Sequence, residues 1–144
     1  MKSHETFMKL ALSESRKALP DCLPNPPVGC LLVKGGIVVA SGYTKAPGRH
    51  HAEADALERY AGSLAGITAY VTLEPCSFHG RTPSCAEALI KRGLERIVVA
   101  LVDPDPRNNG LGLEKLKRAG VEVVEGICSD EVGAFLNAYL NGGQ

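Results

Sequence analysis

The sequence predicts an α/β fold in which one five-stranded mixed sheet carries helices on both faces, as three layers. Helical and strand-like segments follow one another in the order α-β-β-α-β-α-β-α-β-α, a pattern that favours a sheet covered by helices. Lys34-Gly35-Gly36 is a short hairpin connection between the first two strands. The run from Arg96 to Val102 is apolar and β-branched, which is typical of a strand buried on both faces.

The amino-terminal half predicts a helix, a hairpin and a second helix. Apolar residues recur at an approximate 3.6-residue period from Ser3 to Leu19, with Ser3 as a candidate N-cap and Pro20 as the terminator. The segment 23–27 contains three prolines and predicts a rigid turn. The other predicted elements of this half are strands over 28–33 and 37–40, a loop over 41–50 and a helix over 51–60.

The carboxy-terminal half predicts strands that alternate with helices. Thr82 or Ser84 can cap one helix before it stops at Gly93, and Gly120 closes the next. Strands joined by helices should be parallel through right-handed crossovers. The predicted elements are strands over 67–73, 96–102 and 121–124, helices from 82 or 84 to 92, over 111–119 and over 130–140, and a loop over 103–110.

Composition excludes several classes of protein. The chain has 144 residues, of which 44% are hydrophobic and 22% charged, and its formal net charge is zero. A neutral chain has no long-range attraction to nucleic acid or to an anionic membrane. No apolar run approaches the roughly 20 residues that span a bilayer, and the amino terminus does not resemble a signal peptide. We expect a single cytoplasmic domain over residues 1–144 that binds neither nucleic acid nor membrane.

Five cysteines raise the question of what their thiols do. The number is odd and no export signal is present, which argues against a disulfide framework. In a reducing compartment, metal ligation, catalysis and plain core packing remain. We expect three of the five to bind no metal, namely Cys22, Cys30 and Cys128. Of these, Cys30 is expected to lie in the core.

The remaining two cysteines combine with His51 and Glu53 into a candidate zinc site. One imidazole and the thiolates of Cys76 and Cys85 make three ligands, which leaves the fourth tetrahedral position for water. Zinc lowers the pKa of its water to about 7, and Glu53 is the natural proton shuttle. Zinc-dependent base deaminases have H-x-E followed by P-C-x-x-C. Here eight residues separate the two cysteines.

The chain resembles the deaminase domain of bacterial riboflavin biosynthesis protein D. Four segments carry the resemblance, in family order: PNPPVGCLLVKGG (24–36), HAEADAL (51–57), VTLEPCSFHGRTPSCAEALI (71–90) and LVDPDP (101–106). The resemblance implies a cytidine deaminase-like three-layer α-β-α sandwich. It also implies hydrolytic deamination of 2,5-diamino-6-ribosylamino-4(3H)-pyrimidinone 5′-phosphate, with release of ammonia.

The resemblance assigns roles to ten residues. His51, Cys76 and Cys85 match the ligands of one zinc ion per chain, and Glu53 matches the proton shuttle. Arg81 falls where the family has a lysine or arginine near the substrate phosphate, and a guanidinium suits a phosphate well. Three residues depart from the family's usual side chains: Thr44 and Phe78 replace histidines and Asp105 replaces asparagine. The expected substrate contacts are Asn25, Thr44, Phe78, Arg81, Asp103 and Asp105.

Three other functions compete with this hypothesis. The departures at Thr44 and Phe78 allow a deaminase of the same fold that acts on another amino-pyrimidine, a nucleoside or a secondary metabolite. A zinc-stabilised interaction module is disfavoured because structural zinc normally has four protein ligands, and nucleic-acid editing is disfavoured by the neutral charge. The resemblance further implies a homodimer or homotetramer. Family members usually continue into a reductase domain, which we expect to be on a separate polypeptide, removed from this chain or irrelevant to it.

Overall fold

The protein has five helices and five strands within residues 3–77 and 84–142, the part of the chain described by the computed structural model. All ten predicted elements are present in the predicted order. In chain order they are α1 (His4–Arg16), β1 (Gly29–Lys34), β2 (Ile37–Tyr43), α2 (Ala52–Glu58), β3 (Ile67–Leu73), α3 (Cys85–Lys91), β4 (Arg96–Leu101), α4 (Leu111–Arg118), β5 (Glu122–Glu125) and α5 (Ser129–Gly142).

The strands form one mixed sheet in the order β2-β1-β3-β4-β5. Strand β1 is antiparallel to both of its neighbours, β2 and β3. The helix-linked strands β3, β4 and β5 are parallel, because each crossover helix returns the chain to the end of the sheet at which the previous strand began. The predicted hairpin is confirmed. Gly35 and Gly36 form its turn, and both have positive φ. Two-residue turns whose twist matches that of the strands require this conformation.

Helices cover both faces of the sheet, so the predicted three-layer architecture is confirmed. Helices α2, α3 and α4 pack on one face over Leu32, Val71 and Val99. Helices α1 and α5 pack on the other face over Leu31 and Val98. Neighbouring residues of β4 thus enter opposite cores, which explains its continuous apolar sequence. No helix within residues 3–77 and 84–142 is long and apolar enough to cross a membrane.

Two predicted boundaries were wrong. Helix α1 ends at Arg16 rather than Leu19; the chain then makes turns in which the amides of residues 17, 18 and 19 donate three residues back. Strand β2 continues to Tyr43, so residues 41–43 are not loop. They pair with Gly29, Cys30 and Leu31 of β1, and this backbone pairing overrides the turn-forming composition of the segment. Smaller differences shift the other ends by one or two residues.

Gly42 lets α2 lie directly against β2. A Cβ at this position would come within 2.5 Å of both the Ala52 carbonyl oxygen and the Ala56 nitrogen. Real Cβ atoms do not approach backbone so closely, so any larger residue must push the helix away. The backbone contact therefore sets the position of α2, and with it the position of His51 immediately before the helix.

We expect Gly42→Ala to lower the free energy of unfolding by about 1–3 kcal/mol, the cost of overpacking a tight contact. Urea unfolding followed by circular dichroism measures the change. Gly133→Ala is the matched control, because its Cβ would meet the Asn137 Nδ2 at 3.6 Å and the Leu101 Cδ2 at 4.0 Å, both ordinary contacts, and alanine favours the helix. A Gly42→Ala protein as stable as the Gly133→Ala protein would contradict the proposed backbone contact.

Candidate metal centre

His51 lies at the N-cap position of α2, with extended backbone and no capping bond from its side chain. Its carbonyl oxygen accepts the first helical hydrogen bond, from the Asp55 nitrogen at 2.9 Å. The imidazole is therefore available to groups outside the helix. Its Nδ1 lies 3.4 Å from the Cys85 sulfur and 3.9 Å from the Cys76 sulfur.

The two cysteines meet where α3 begins. Ser84 caps this helix by accepting a hydrogen bond from the Glu87 nitrogen, which confirms Ser84 as a cap; the alternative cap, Thr82, lies outside the described residues. Cys85 is the first residue of the helix, and its backbone N–H donates to the Cys76 sulfur at 3.2 Å. The Ala86 nitrogen donates to the Cys76 carbonyl oxygen at 3.1 Å. Unpaired amides at a helix start thus hold the preceding cysteine.

The structure brings His51, Cys76 and Cys85 into one cluster. Their ligand atoms all lie within 4.8 Å of one another, close enough to hold a metal ion. Cys85 is buried, Cys76 is half-buried and His51 is exposed, so one side of the cluster faces solvent. All five cysteines are free thiols, and Cys30 packs in the core as predicted.

Mutual hydrogen bonding sets the charge of the two thiols. The pKa of Cys76 is lowered to about 4, first by the hydrogen bond from the Cys85 thiol and then, against burial, by bonds from His51 and the Cys85 backbone. The pKa of Cys85 is raised well above its ordinary value because its proton serves that bond and because it is buried. Zinc binds cysteine sulfur as thiolate, so the Cys85 thiol would lose its proton on metal binding. Two thiolates and an imidazole are donors that zinc prefers.

Glu53 is buried beside the cluster, in the first turn of α2. Only 4% of the residue is exposed. Burial raises its pKa to about 7, although the nearby His51 acts in the opposite direction. The neighbouring Cys85 side chain also favours the charged carboxylate, to a smaller extent. Glu53 is thus a buried carboxyl in contact with the cluster, within one short turn of His51.

A cleft of about 1190 Å³ opens above the cluster. His51, Cys76 and Cys85 line it together with Thr44 and basic residues of the loop before α2, among them Lys45 and Arg49. A volume of this order accommodates a small molecule. A small molecule bound in the cleft would therefore lie directly against the candidate metal ligands.

Asp55 lines this cleft and stabilises the backbone beside it. It is only 5% exposed, and its Oδ2 accepts from the Tyr43 nitrogen at 3.1 Å and lies 3.4 Å from the Lys45 Nζ. The Lys45 ammonium also stacks 3.5 Å from the centre of the Tyr43 ring. The carboxylate thus ties α2 to the end of β2. Asp55 was not predicted from the sequence, because nothing in its local pattern distinguishes it from a surface acid.

The predicted substrate residues lie in different surroundings. Thr44 lines the cleft, but its hydroxyl accepts a hydrogen bond from the Val28 nitrogen at 3.0 Å. Asn25 is half-buried in the turn after α1. Asp103 and Asp105 lie in the loop after β4, where the carboxylate of Asp105 pairs with Arg107. Among the described residues, these last three do not line the cleft.

Two predicted substrate residues, Phe78 and Arg81, lie outside the described residues. His50, which precedes the cluster, pairs with Glu58 at the rim of the cleft. Glu74, which is only 3% exposed, was also not predicted from the sequence. The available signal was its position, a charged residue between an apolar strand and Pro75-Cys76. Such a position indicates a buried carboxylate, and a carboxylate is buried only when hydrogen bonds satisfy it.

Comparison with known proteins assigns the class. The chain matches the family model described as the cytidine and deoxycytidylate deaminase zinc-binding region over residues 1–101. The chain therefore belongs to the cytidine and deoxycytidylate deaminase family. Its five-stranded sheet and three layers agree with a solved structure of Acinetobacter baumannii RibD, with a TM-score of 0.90 and 40% identity, covering 97% of this chain and 39% of that one.

Two relatives are similar to this chain over most of its length. The riboflavin biosynthesis protein RibD of Aquifex aeolicus is 47% identical over 127 residues, which are 88% of this chain and 36% of that protein. The diaminohydroxyphosphoribosylamino-pyrimidine deaminase of Buchnera aphidicola subsp. Acyrthosiphon pisum is 43% identical over 134 residues, 93% of this chain and 91% of that protein. The chain spans about a third of the RibD relatives and nearly the whole of the Buchnera enzyme.

Proposed function

We propose that this chain catalyses the hydrolytic deamination of 2,5-diamino-6-ribosylamino-4(3H)-pyrimidinone 5′-phosphate in riboflavin biosynthesis. The observation that carries the proposal is the cluster of His51, Cys76 and Cys85 beside buried Glu53 under a ligand-sized cleft. The similarity to the Buchnera enzyme, which the chain covers almost completely, supports the same substrate. Water replaces the exocyclic amine with an oxo group, and ammonia leaves.

The cluster fits one zinc ion per chain. Its donors are two sulfurs and one imidazole nitrogen, and zinc binds this combination in catalytic sites. Among the described residues the group holds three donors, whereas structural zinc sites have four protein ligands. Bound zinc supplies Lewis acidity, which activates water at neutral pH. The three-donor set favours an enzyme over a zinc-stabilised interaction module.

Glu53 is the proposed proton-transfer residue. Its carboxyl group is buried next to the proposed ligands. A carboxylate in this position takes a proton from water and gives one to the departing amine. Burial raises the pKa of this carboxyl group to about 7, and a group whose pKa lies near the working pH can both accept and donate a proton.

The cleft is the proposed binding site for the pyrimidine nucleotide. Thr44 forms part of its wall. Arg81 is the proposed contact to the phosphate, and the remaining proposed contacts, carried by sequence resemblance, are Asn25, Phe78, Asp103 and Asp105. We further propose a homodimer or homotetramer in the cytoplasm, acting with a reductase activity.

We expect Glu53→Gln to reduce kcat by about 10²–10⁴-fold, the usual contribution of general acid–base catalysis. Its zinc content should not change, because the amide keeps the shape of the side chain. Ammonia release from the pathway nucleotide and zinc by atomic emission are the two measurements. Glu122→Gln is the control, since Glu122 is an exposed partner of Arg96 on β5.

An unchanged rate in Glu53→Gln would contradict the role of this residue. A zinc-loaded wild-type chain that leaves the nucleotide unchanged would contradict the proposed substrate. Ammonia release from another amino-pyrimidine or nucleoside would then support the second candidate, a deaminase with a different substrate. The observation that favours this candidate is Thr44, whose hydroxyl is occupied by Val28 where the family usually offers an imidazole.

We expect Arg81→Ala to raise KM about ten- to hundredfold for the nucleotide, the loss of hydrogen bonds to a charged group. Activity on the dephosphorylated nucleoside should not change. Arg49→Ala is the informative comparison, because Arg49 lines the described cleft and offers another cation. A KM effect in Arg49→Ala without one in Arg81→Ala would contradict the assignment of the phosphate to Arg81.

A further inference from the structure

The side chain of Glu74, which follows β3, caps the start of helix α4. Its Oε1 accepts from the backbone nitrogens of Asp103 at 3.0 Å and Gly110 at 2.9 Å, and its Oε2 accepts from Leu113 at 3.0 Å. Gly110 is the N-cap of α4 and makes no side-chain cap bond. The first amides of a helix need acceptors, and the buried carboxylate of Glu74 supplies them from the end of β3.

The three residues that follow Glu74 are held through their carbonyl oxygens. The Pro75 oxygen accepts from Asn108 Nδ2 at 3.1 Å, the Cys76 oxygen from the Ala86 nitrogen at 3.1 Å, and the Ser77 oxygen from Lys115 Nζ at 3.2 Å. Two of these three donors belong to the loop before α4 or to α4 itself. The segment 74–77 is therefore tied to the same unit at both of its ends.

The first turn of α4 also packs directly on this segment. A Cβ at Gly112 would lie 1.9 Å from the Pro75 oxygen, so only glycine allows the approach. Asn108 is fully buried there and bridges the Pro75 oxygen and Asp103. Backbone contact and buried hydrogen bonds leave the segment no room to shift toward α4.

We infer that Glu74 is a positioning residue for Cys76, acting through the α4 clamp. The clamp comprises Glu74 and the residues 103–115 that it and its neighbours bind. Cys76 lies outside every helix and strand. Its carbonyl oxygen is held by the Ala86 amide of α3, and its neighbours Pro75 and Ser77 are held by the clamp. A preformed ligand loses less freedom when metal binds. The inference rests on the proposed function, because it takes Cys76 as a zinc ligand.

The test is zinc affinity, measured by competition with a chromogenic chelator. Glu74→Ala should bind zinc about 10–100-fold more weakly than wild type, the usual cost of losing a group that orients a ligand. Glu74→Gln should lie between the two. Its amide oxygen can still accept from Asp103 and Gly110, but its NH₂ group faces the Leu113 nitrogen. Cobalt substitution gives a second readout, a weaker thiolate-to-metal absorption in Glu74→Ala.

Leu136→Ala is the matched control for lost stability. Leu136 is fully buried in the core on the opposite face of the sheet, so its loss weakens the fold without touching the clamp. All variants are compared at a temperature where circular dichroism shows them folded. If Glu74→Ala does not fold, the comparison rests on Glu74→Gln against Leu136→Ala.

Weaker zinc binding in the Glu74 variants, with wild-type affinity in Leu136→Ala, supports the inference. Equal affinity in wild type, Glu74→Ala and Glu74→Gln overturns it and leaves the proposed function intact. Equal weakening in Leu136→Ala also overturns it, because the effect would then follow stability alone. A wild-type chain that binds no zinc overturns the proposed function and this inference together.

Discussion

The site depends on one hydrogen bond, from the Cys85 backbone N–H to the Cys76 sulfur at 3.2 Å. The two residues are nine positions apart in the sequence. Cys85 is the first residue of α3, and the bond holds Cys76 against the amides at the start of that helix. It also favours a thiolate at Cys76, because amide donors stabilise anionic sulfur. The imidazole of His51, 25 positions before Cys76, reaches the pair because Gly42 lets α2 lie against β2.

Most of the fold could be predicted because its signals are local. Strand β3 was predicted with its observed bounds, since its apolar run is flanked by turn residues. The hairpin at Gly35 and Gly36 and the helix end at Gly93 follow from glycines that have positive φ. The errors lie where long-range pairing decides: β2 extends to Tyr43 because β1 is there to bond it, although residues 41–50 have a loop-like composition.

The site was predictable to the extent that its chemistry shows in residue types. A histidine, a glutamate two positions later and two cysteines predict the cluster that the structure assembles. Glu74 was missed because its partners are backbone amides, which nearly every residue has. Asp55 was missed because the Tyr43 amide and the Lys45 ammonium that it binds lie across the loop between β2 and α2. The amides bound by Glu74 are 29, 36 and 39 residues away. Such contacts leave no periodic pattern, so only the burial of a charge indicates them.

Zinc K-edge X-ray absorption of the zinc-loaded protein tests the central claim, that His51, Cys76 and Cys85 hold one catalytic metal. The account predicts two sulfur ligands at about 2.3 Å, one imidazole nitrogen at about 2.0–2.1 Å and one further light atom. The sulfur contribution should fall to one atom in Cys76→Ser and stay at two in Cys128→Ser. A shell of four sulfurs, or one without sulfur, would contradict the account.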